Sequence, residues 1–481
     1  MNWFYIVSII YVLIVIAVCL RIIYETRNTS KTLAYLLVTF FIPVGGILFY
    51  ILFGVNYWKL KMYNKKSIED EKILERLKKQ MTVYVDETID PTDMSDENNK
   101  ELAVMLAKEL RSPLTRRNRV KLLINGEEKF SDVLEALRNA KHHIHIEYYI
   151  YEQDTIGEQI ENVLIQKAGE GVQVRFIYDD FGSPSIKRRT EKRMKEAGIE
   201  VYPFQKVWFY VLANRLNYRN HRKIIVIDGQ TAFTGGINVS DKYINNKPGQ
   251  LFWRDTHLRI DGPGVFYLQY LFLSDWNFCS GKNLQPEKLH FLNTERPTDD
   301  IFLQVVAGGP DSKQPSVLFS LLQAIYLARK EILITTPYFI PGDSVQDALR
   351  VAALSGLSVK LLVPGICDSK LVNAVSKSYY AELLLAGVDI YMYQKGFVHA
   401  KTLVTDGRLS VIGTANMDNR SFELNFEVNV ILYDQAFSEK LRSVFFKDLE
   451  DAEKIDADRW CCRPAYRQLP EKLARLFAPV L

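Results

Sequence analysis

The chain has 481 residues, 48% of them hydrophobic and 25% charged, the balance of a folded protein with room for two or three domains rather than of a disordered or fibrous one. Its 61 basic and 57 acidic side chains leave a net charge of +4, too even to mark a polyanion such as nucleic acid as partner, so any basic function has to be local. The five cysteines (Cys19, Cys279, Cys367, Cys461, Cys462) form no CxxC pair and have no histidine at ligand spacing, which argues for a reducing compartment and against a zinc site.

From Met1 to Leu20 no side chain is charged, and from Thr32 to Trp58 none is either. Each run is long enough to cross a hydrocarbon core, which takes about 20 apolar residues. No Lys or Arg precedes the first run, so it reads as a retained anchor rather than a cleaved signal. Pro43, Gly45 and Gly46 interrupt the second, which predicts a kink or a re-entrant path. Residues 1–58 are therefore expected to form two transmembrane helices joined as a hairpin. Arg21, Arg27 and Lys31 lie between the runs, whereas Lys59, Lys61, Lys65 and Lys66 follow them; this slight excess favours both termini in the cytoplasm. Residues 59–115 are highly charged, with Ile73, Leu74, Leu77 and Met81 at helical spacing, and read as an amphipathic connector.

Beyond residue 115 short β-rich runs alternate with helical stretches, the pattern of an α/β domain, and the pattern occurs twice. Ile144–Tyr149, Val172–Tyr178 and Ala197–Tyr202 are matched in order by Ile332–Tyr338, Val359–Pro364 and Ala386–Tyr391. Duplication explains this economically, and it predicts two tandem lobes related by a pseudo-twofold axis, 116–295 and 296–481.

Each half closes on the same segment. The first reads His221-Arg222-Lys223, Asp228, Gly235 and Asn238; the second reads His399-Ala400-Lys401, Asp406, Gly413 and Asn416. From each histidine the lysine stands at +2, the aspartate at +7, the glycine at +14 and the asparagine at +17. One His-x-Lys-x4-Asp is a weak signal, but two copies with matching Gly and Asn are not an accident. Residues i and i+2 of an extended strand share a face, so each His and Lys are expected to project into one cavity. Asp228-Gly229 and Asp406-Gly407 also read as hairpin turns, so each aspartate has an architectural reading beside the catalytic one.

These residue types suit phosphodiester chemistry. Two lysines and two amides neutralise and hydrogen-bond non-bridging oxygens, most strongly as charge builds in the transition state. One neutral imidazole attacks phosphorus while the other, protonated, gives its proton to the departing alkoxide, which requires the two histidines in different protonation states. No carboxylate cluster suited to a metal is visible, and no cofactor is needed. Each imidazole needs a partner on its other nitrogen, and Asp255 in the first half and Glu427 in the second are the candidates in register. Trp208, Phe209 and Tyr210, inserted before the first motif, suit either a core or a membrane interface. The C-terminal stripe Leu473, Leu476 and Phe477 suits either docking on the body or contact with lipid.

With both motifs quoted, the chain resembles the phospholipase D superfamily and, over nearly its whole length, the bacterial cardiolipin synthases. Further matching segments are Ser112–Thr115, Ile146–Tyr149, Pro337–Pro341 and Arg420–Asn425, while Cys367 departs from the small polar residue often found in relatives. The resemblance implies transfer of a phosphatidyl group between two phosphatidylglycerol molecules, giving cardiolipin and glycerol through a phosphatidyl-histidine intermediate at a bacterial cell membrane. It implies His221 as nucleophile, His399 as acid and base, and Lys223, Lys401, Asn238 and Asn416 on the phosphate. Rival readings are a phospholipase D hydrolase, a transferase using another head-group alcohol, and an inactive membrane scaffold. Oligomeric state is not legible.

Overall fold

The computed structural model describes residues 3–25, 29–53, 99–108, 112–186, 189–204, 218–246, 249–284 and 299–480, together with Lys66, Lys72, Glu75 and Asp90. The expected roles of Ile73, Leu74, Leu77 and Met81, and of Trp208, Phe209 and Tyr210, lie outside the described residues. The chain divides into two compact units, residues 1–65 with 207–218, and residues 66–206 with 219–481.

In the first unit, α1 (Trp3–Glu25) is apolar all round and is the one helix among the described residues long enough to cross a membrane. The second apolar run departs from the expected spanning helix. It splits into α2 (Thr29–Phe41) and α3 (Pro43–Phe53), because Pro43 has no N–H to continue the ladder. The two then fold back on each other, with the Tyr35 ring 6.0 Å from Phe49 and 5.5 Å from Tyr50. Gly46 permits this return: a Cβ there would lie 2.4 Å from the Thr39 backbone. The Tyr50 hydroxyl donates to Glu25 at 2.7 Å, so the end of α3 comes back to the end of α1.

The second unit is built on one sheet of 15 strands. The first lobe supplies β1 (Thr115–Ile124), β2 (His143–Tyr148), β3 (Gln173–Asp179), β4 (Glu200–Phe204), β5 (Lys223–Ile227), β6 (Thr231–Gly235) and β7 (Thr256–Asp261). The second supplies β8 (Ile301–Gly308), β9 (Glu331–Thr335), β10 (Ser358–Pro364), β11 (Asp389–Tyr393), β12 (Thr402–Thr405), β13 (Leu409–Gly413), β14 (Glu427–Tyr433) and β15 (Ala452–Lys454). Their order is β15-β11-β10-β9-β12-β13-β14-β8-β1-β7-β6-β5-β2-β3-β4. Reading outward from the β8–β1 seam, the two lobes repeat the same sequence of strands, which is the duplication in three dimensions. In each lobe the outer strands run parallel (β2-β3-β4, β9-β10-β11) and the inner ones pair antiparallel.

The central strands are buried along their whole length, as β5 and β14 show, so they read as continuous Ile/Val runs rather than as alternating ones. Ile224, Val226 and Leu258 of the first lobe share a core with Leu303, Val404 and Val428 of the second. That common core fixes the lobes against each other. The C-terminal ends of β2, β3, β9 and β10 then open onto the same side as the loops before β5 and β12.

Candidate active site

His221 and His399 sit just before β5 and β12, each held by backbone from the other lobe. The His221 N–H donates to the Phe426 carbonyl at 3.0 Å and the His399 N–H to the Arg254 carbonyl at 2.7 Å. Parallel pairing of Phe252–Arg254 with Gly396–Val398, and the bridge from Asn220 to Phe426, extend these contacts. In both cases the residue after the accepting carbonyl is the carboxylate that takes the imidazole, so one register places both.

The carboxylates cross between lobes. His221 Nδ1 lies 2.9 Å from both Glu427 oxygens, and His399 Nδ1 lies 2.7 Å from Asp255 Oδ2. An ionised carboxylate only accepts, so each Nδ1 is the protonated nitrogen and each Nε2 keeps its lone pair for chemistry. Glu427 is further held by the Thr414 hydroxyl at 2.5 Å and the Asn425 amide at 3.2 Å. His257, the neighbour of Asp255, is buried without a hydrogen-bond partner and lies apart from this arrangement.

Lys223 and Lys401 are buried and donate to the carbonyls of His221 and His399, at 2.7 and 2.5 Å. The expected pairing of each His with its Lys is therefore present. Burial lowers Lys223 to about 7 and Lys401 to about 8, and each ammonium lowers the pKa of the other motif's histidine. The two half-sites thus share one field. Burial lowers His221 to about 4 against the pull of Glu427, and burial with Lys401 lowers His399 to about 3 against that of Asp255. Both imidazoles are thus shifted the same way, toward the uncharged form, by the chain's own groups. The negative charge of a phosphodiester favours an imidazolium beside it.

Asn238 and Asn416 are both buried. The Asn238 amide donates to the Tyr243 hydroxyl at 2.8 Å, and the Asn416 amide donates to Asp418 at 3.1 Å while its oxygen has no partner among the described residues. Asp228 and Asp406, which have both a catalytic and an architectural reading, lie away from the histidines along β5 and β12. Each stands past the far end of its strand, at φ 54° and 55°. Asp228 accepts the N–H groups of Lys141, His142 and His143, and Asp406 those of Arg329, Lys330 and Glu331, at 2.7–2.9 Å. They tie the strand's exit to the start of its neighbour, the contact that the architectural reading describes.

Several residues of the site had no signal in the sequence. Arg222 points away from the histidines into the seam, bonding Asp275 at 2.5 Å, with its other nitrogens 3.4 Å from the carbonyls of Glu427 and Gly308. Lys66 reaches the same cluster, 3.2 Å from Asp275 and 2.8 Å from Asp311. Against burial, Arg222 and Lys66 hold Asp275 ionised, and burial beside it raises Glu147. The rings of Tyr149 on one side, and of Tyr243, Trp253 and Phe397 on the other, wall the two imidazoles with centroids 4.9–5.9 Å away. Only Tyr149 lay within a segment already singled out.

Two duplicated lobes that meet at a pair of buried His-Lys motifs, each imidazole oriented by the other lobe's carboxylate, define a phosphodiester-processing enzyme of the phospholipase D type. The sequence comparisons agree and go further. Residues 133–249 and 321–449 match the family described as "Cardiolipin synthase, PLD-like domain", and residues 7–54 match "Phospholipase_D-nuclease N-terminal". The chain is 42% identical over 461 residues to cardiolipin synthase 2 of Bacillus anthracis, covering 95% of this chain and 88% of that one. It is 38% identical over 477 residues to the major cardiolipin synthase of Bacillus subtilis, covering 98% of both. The crystal structure of phosphatidylserine synthase from Haemophilus influenzae shares the fold, with a TM-score of 0.57 at 13% identity over 75% of this chain and 95% of that one. The chain belongs to the bacterial cardiolipin synthases of the phospholipase D superfamily.

Proposed function

We propose that the chain transfers a phosphatidyl group from one phosphatidylglycerol to the terminal hydroxyl of another, giving cardiolipin and glycerol. The observation that carries the mechanism is the crossed pair of His–carboxylate hydrogen bonds, which leaves two Nε2 atoms, one from each lobe, in a field shared by two lysines. His221 Nε2 attacks phosphorus, and the glycerol oxygen leaves with a proton from His399, which the arriving anion has charged. In the second half the acceptor hydroxyl gives its proton to His399 Nε2, its oxygen bonds phosphorus, and the P–N bond to His221 breaks. Lys223, Lys401, Asn238 and Asn416 hold the non-bridging oxygens. One phosphodiester replaces another, so the exchange is nearly isoenergetic and draws on no nucleotide.

The membrane reading follows from the first unit. α1 crosses the bilayer, and α2 with α3 form a re-entrant pair that enters and leaves on one face. Arg21, near the C-terminal end of α1, then lies on the side that the positive-inside rule makes cytoplasmic. Holding the catalytic unit at the bilayer raises the local concentration of lipid alcohol over that of a free enzyme.

Purified protein in phosphatidylglycerol vesicles is expected to release glycerol and form cardiolipin, and His221→Ala and His399→Ala are each expected to lose turnover by at least a thousandfold. Glycerol release without a dimeric lipid would refute the acceptor, and normal turnover in either variant would refute the two-histidine mechanism.

A further inference from the structure

The C-terminal helix, Ala465–Arg475, begins an apolar stripe that none of the described residues covers. Tyr466, Leu469, Leu473, Leu476 and Phe477 recur at helical spacing and are 69, 57, 54, 76 and 53% exposed. Scattered apolar residues on a surface need no explanation, but three on one helix face continued by two in the turn after it do. The opposite face accounts for the helix's docking: Ala474 is buried, and Arg475 bonds Glu382 at 2.8 Å and stacks on Tyr379. The helix is thus held in place with its apolar side outward. Arg467 and Lys472 are exposed on the same helix.

Its position is as informative as its composition. The segment after it is tied to the rim of the active site, because Asn419 donates to the Ala478 carbonyl at 3.1 Å. Asn419 opens the short helix capped by Asp418, and Asp418 accepts from the Asn416 amide. The apolar stripe therefore ends a few side chains from a residue placed on the phosphate.

We propose that the Tyr466–Phe477 face is an interfacial lipid-docking surface, which seats its apolar side chains among the acyl chains of an anionic bilayer and sets Arg467 and Lys472 against the headgroups. An apolar stripe flanked by basic residues is the pattern that binds a negatively charged lipid surface. The occupant is a membrane rather than a second copy of the chain, because basic side chains complement phosphatidylglycerol and repel their own kind. Docking here turns the mouth of the site to the headgroup layer, so a lipid reaches the histidines with its acyl chains still in the bilayer. The inference deepens the reading above, since it supplies the path by which a lipid substrate enters.

The test uses the full-length protein. Leu473→Ser, Leu476→Ser and Phe477→Ser are combined, and activity is measured on phosphatidylglycerol in vesicles and on a short-chain phosphatidylglycerol below its micelle concentration. The ratio of vesicle to monomer activity is expected to fall at least tenfold. An unchanged ratio overturns the proposal. A fluorophore on Leu476→Cys in a Cys462→Ser background gives an independent reading. Quenching by bromine-labelled lipid in vesicles containing phosphatidylglycerol supports docking; no quenching, or crosslinking of that cysteine to its copy in a second chain, overturns it. Glycerol release without cardiolipin by the unaltered protein overturns the acceptor assignment and leaves the docking ratio to be read on glycerol release.

Discussion

The two half-sites share their histidine, lysine and asparagine offsets but differ in how each carboxylate is held. In the half that serves His221 the carboxylate is the longer Glu427, which both oxygens bring to Nδ1 while Thr414 and Asn425 clamp it from behind. In the half that serves His399 it is the shorter Asp255, which bonds Nδ1 through one oxygen and takes the Thr256 N–H with the other, at 2.7 Å. The position equivalent to Thr414 is Gly236, where a Cβ would lie 2.1 Å from Asp255 Oδ1. A side chain that helps in one lobe has no room in the other. Duplication preserved the offsets of the histidines, lysines and asparagines and let the support of the carboxylates diverge.

Removing the carboxylates tests this most severely. Glu427→Gln and Asp255→Asn free each imidazole to adopt the wrong tautomer, and each is expected to lower kcat by about a hundredfold to ten-thousandfold in a folded protein. If either loses less than threefold, the crossed orientation is not part of the chemistry. Gly236→Ala is expected to lose about a hundredfold, because displacing the carboxylate by even 1 Å misorients His399. Thr414→Gly, its mirror, removes one hydrogen bond from a carboxylate that keeps others, and a loss of about tenfold is expected. Equal losses would erase the distinction between the halves.

The lysines give the comparison a pH dependence. Lys223 and Lys401, lowered by burial to about 7 and 8, carry charge below those values and lose it above them. The phosphodiester needs both charged, so kcat/KM is expected to fall by about tenfold per unit between pH 7 and 8 and by about a hundredfold per unit above 8. On the acid side it should hold until His221 gains its proton near pH 4, if the fold survives. A profile flat to pH 10 would show that the ammonium groups are not required.

Much of this was legible in advance because the duplication spoke through local spacing. His221, Lys223, Asn238 and their counterparts are fixed by strand alternation and by turns a few residues long. The crossing of Asp255 and Glu427 was not, since it depends on the pairing of His399 with Arg254 and of His221 with Phe426, a non-local register between the lobes. Arg222 carried no reading of its own within the motif, and its partners, Asp275 and the carbonyls of Glu427 and Gly308, come from three separate elements. The second apolar run was legible in part, since Pro43, Gly45 and Gly46 signalled a kink or a re-entrant path. Its length fitted a spanning helix, and the fold-back rests on the contact of Gly46 with Thr39, which composition does not encode.

Asp228 and Asp406 offer the smallest effect on turnover and the clearest separation of motif from mechanism. Each belongs to the repeated pattern that marks the site, yet each spends both oxygens on three backbone N–H groups at the opposite end of its strand. Loss of those acceptors leaves buried or half-buried donors unpaired, and Asp228→Ala is expected to destabilise the fold by about 3 kcal/mol. Asp406→Ala should destabilise less, because the N–H groups of Arg329 and Lys330 lie in an exposed turn where water replaces the carboxylate. Thermal unfolding gives that order, and kcat per folded molecule is expected to stay within about threefold of the parent, the scale of a surface change. A hundredfold fall in kcat with an unchanged melting temperature would return the aspartates to the chemistry.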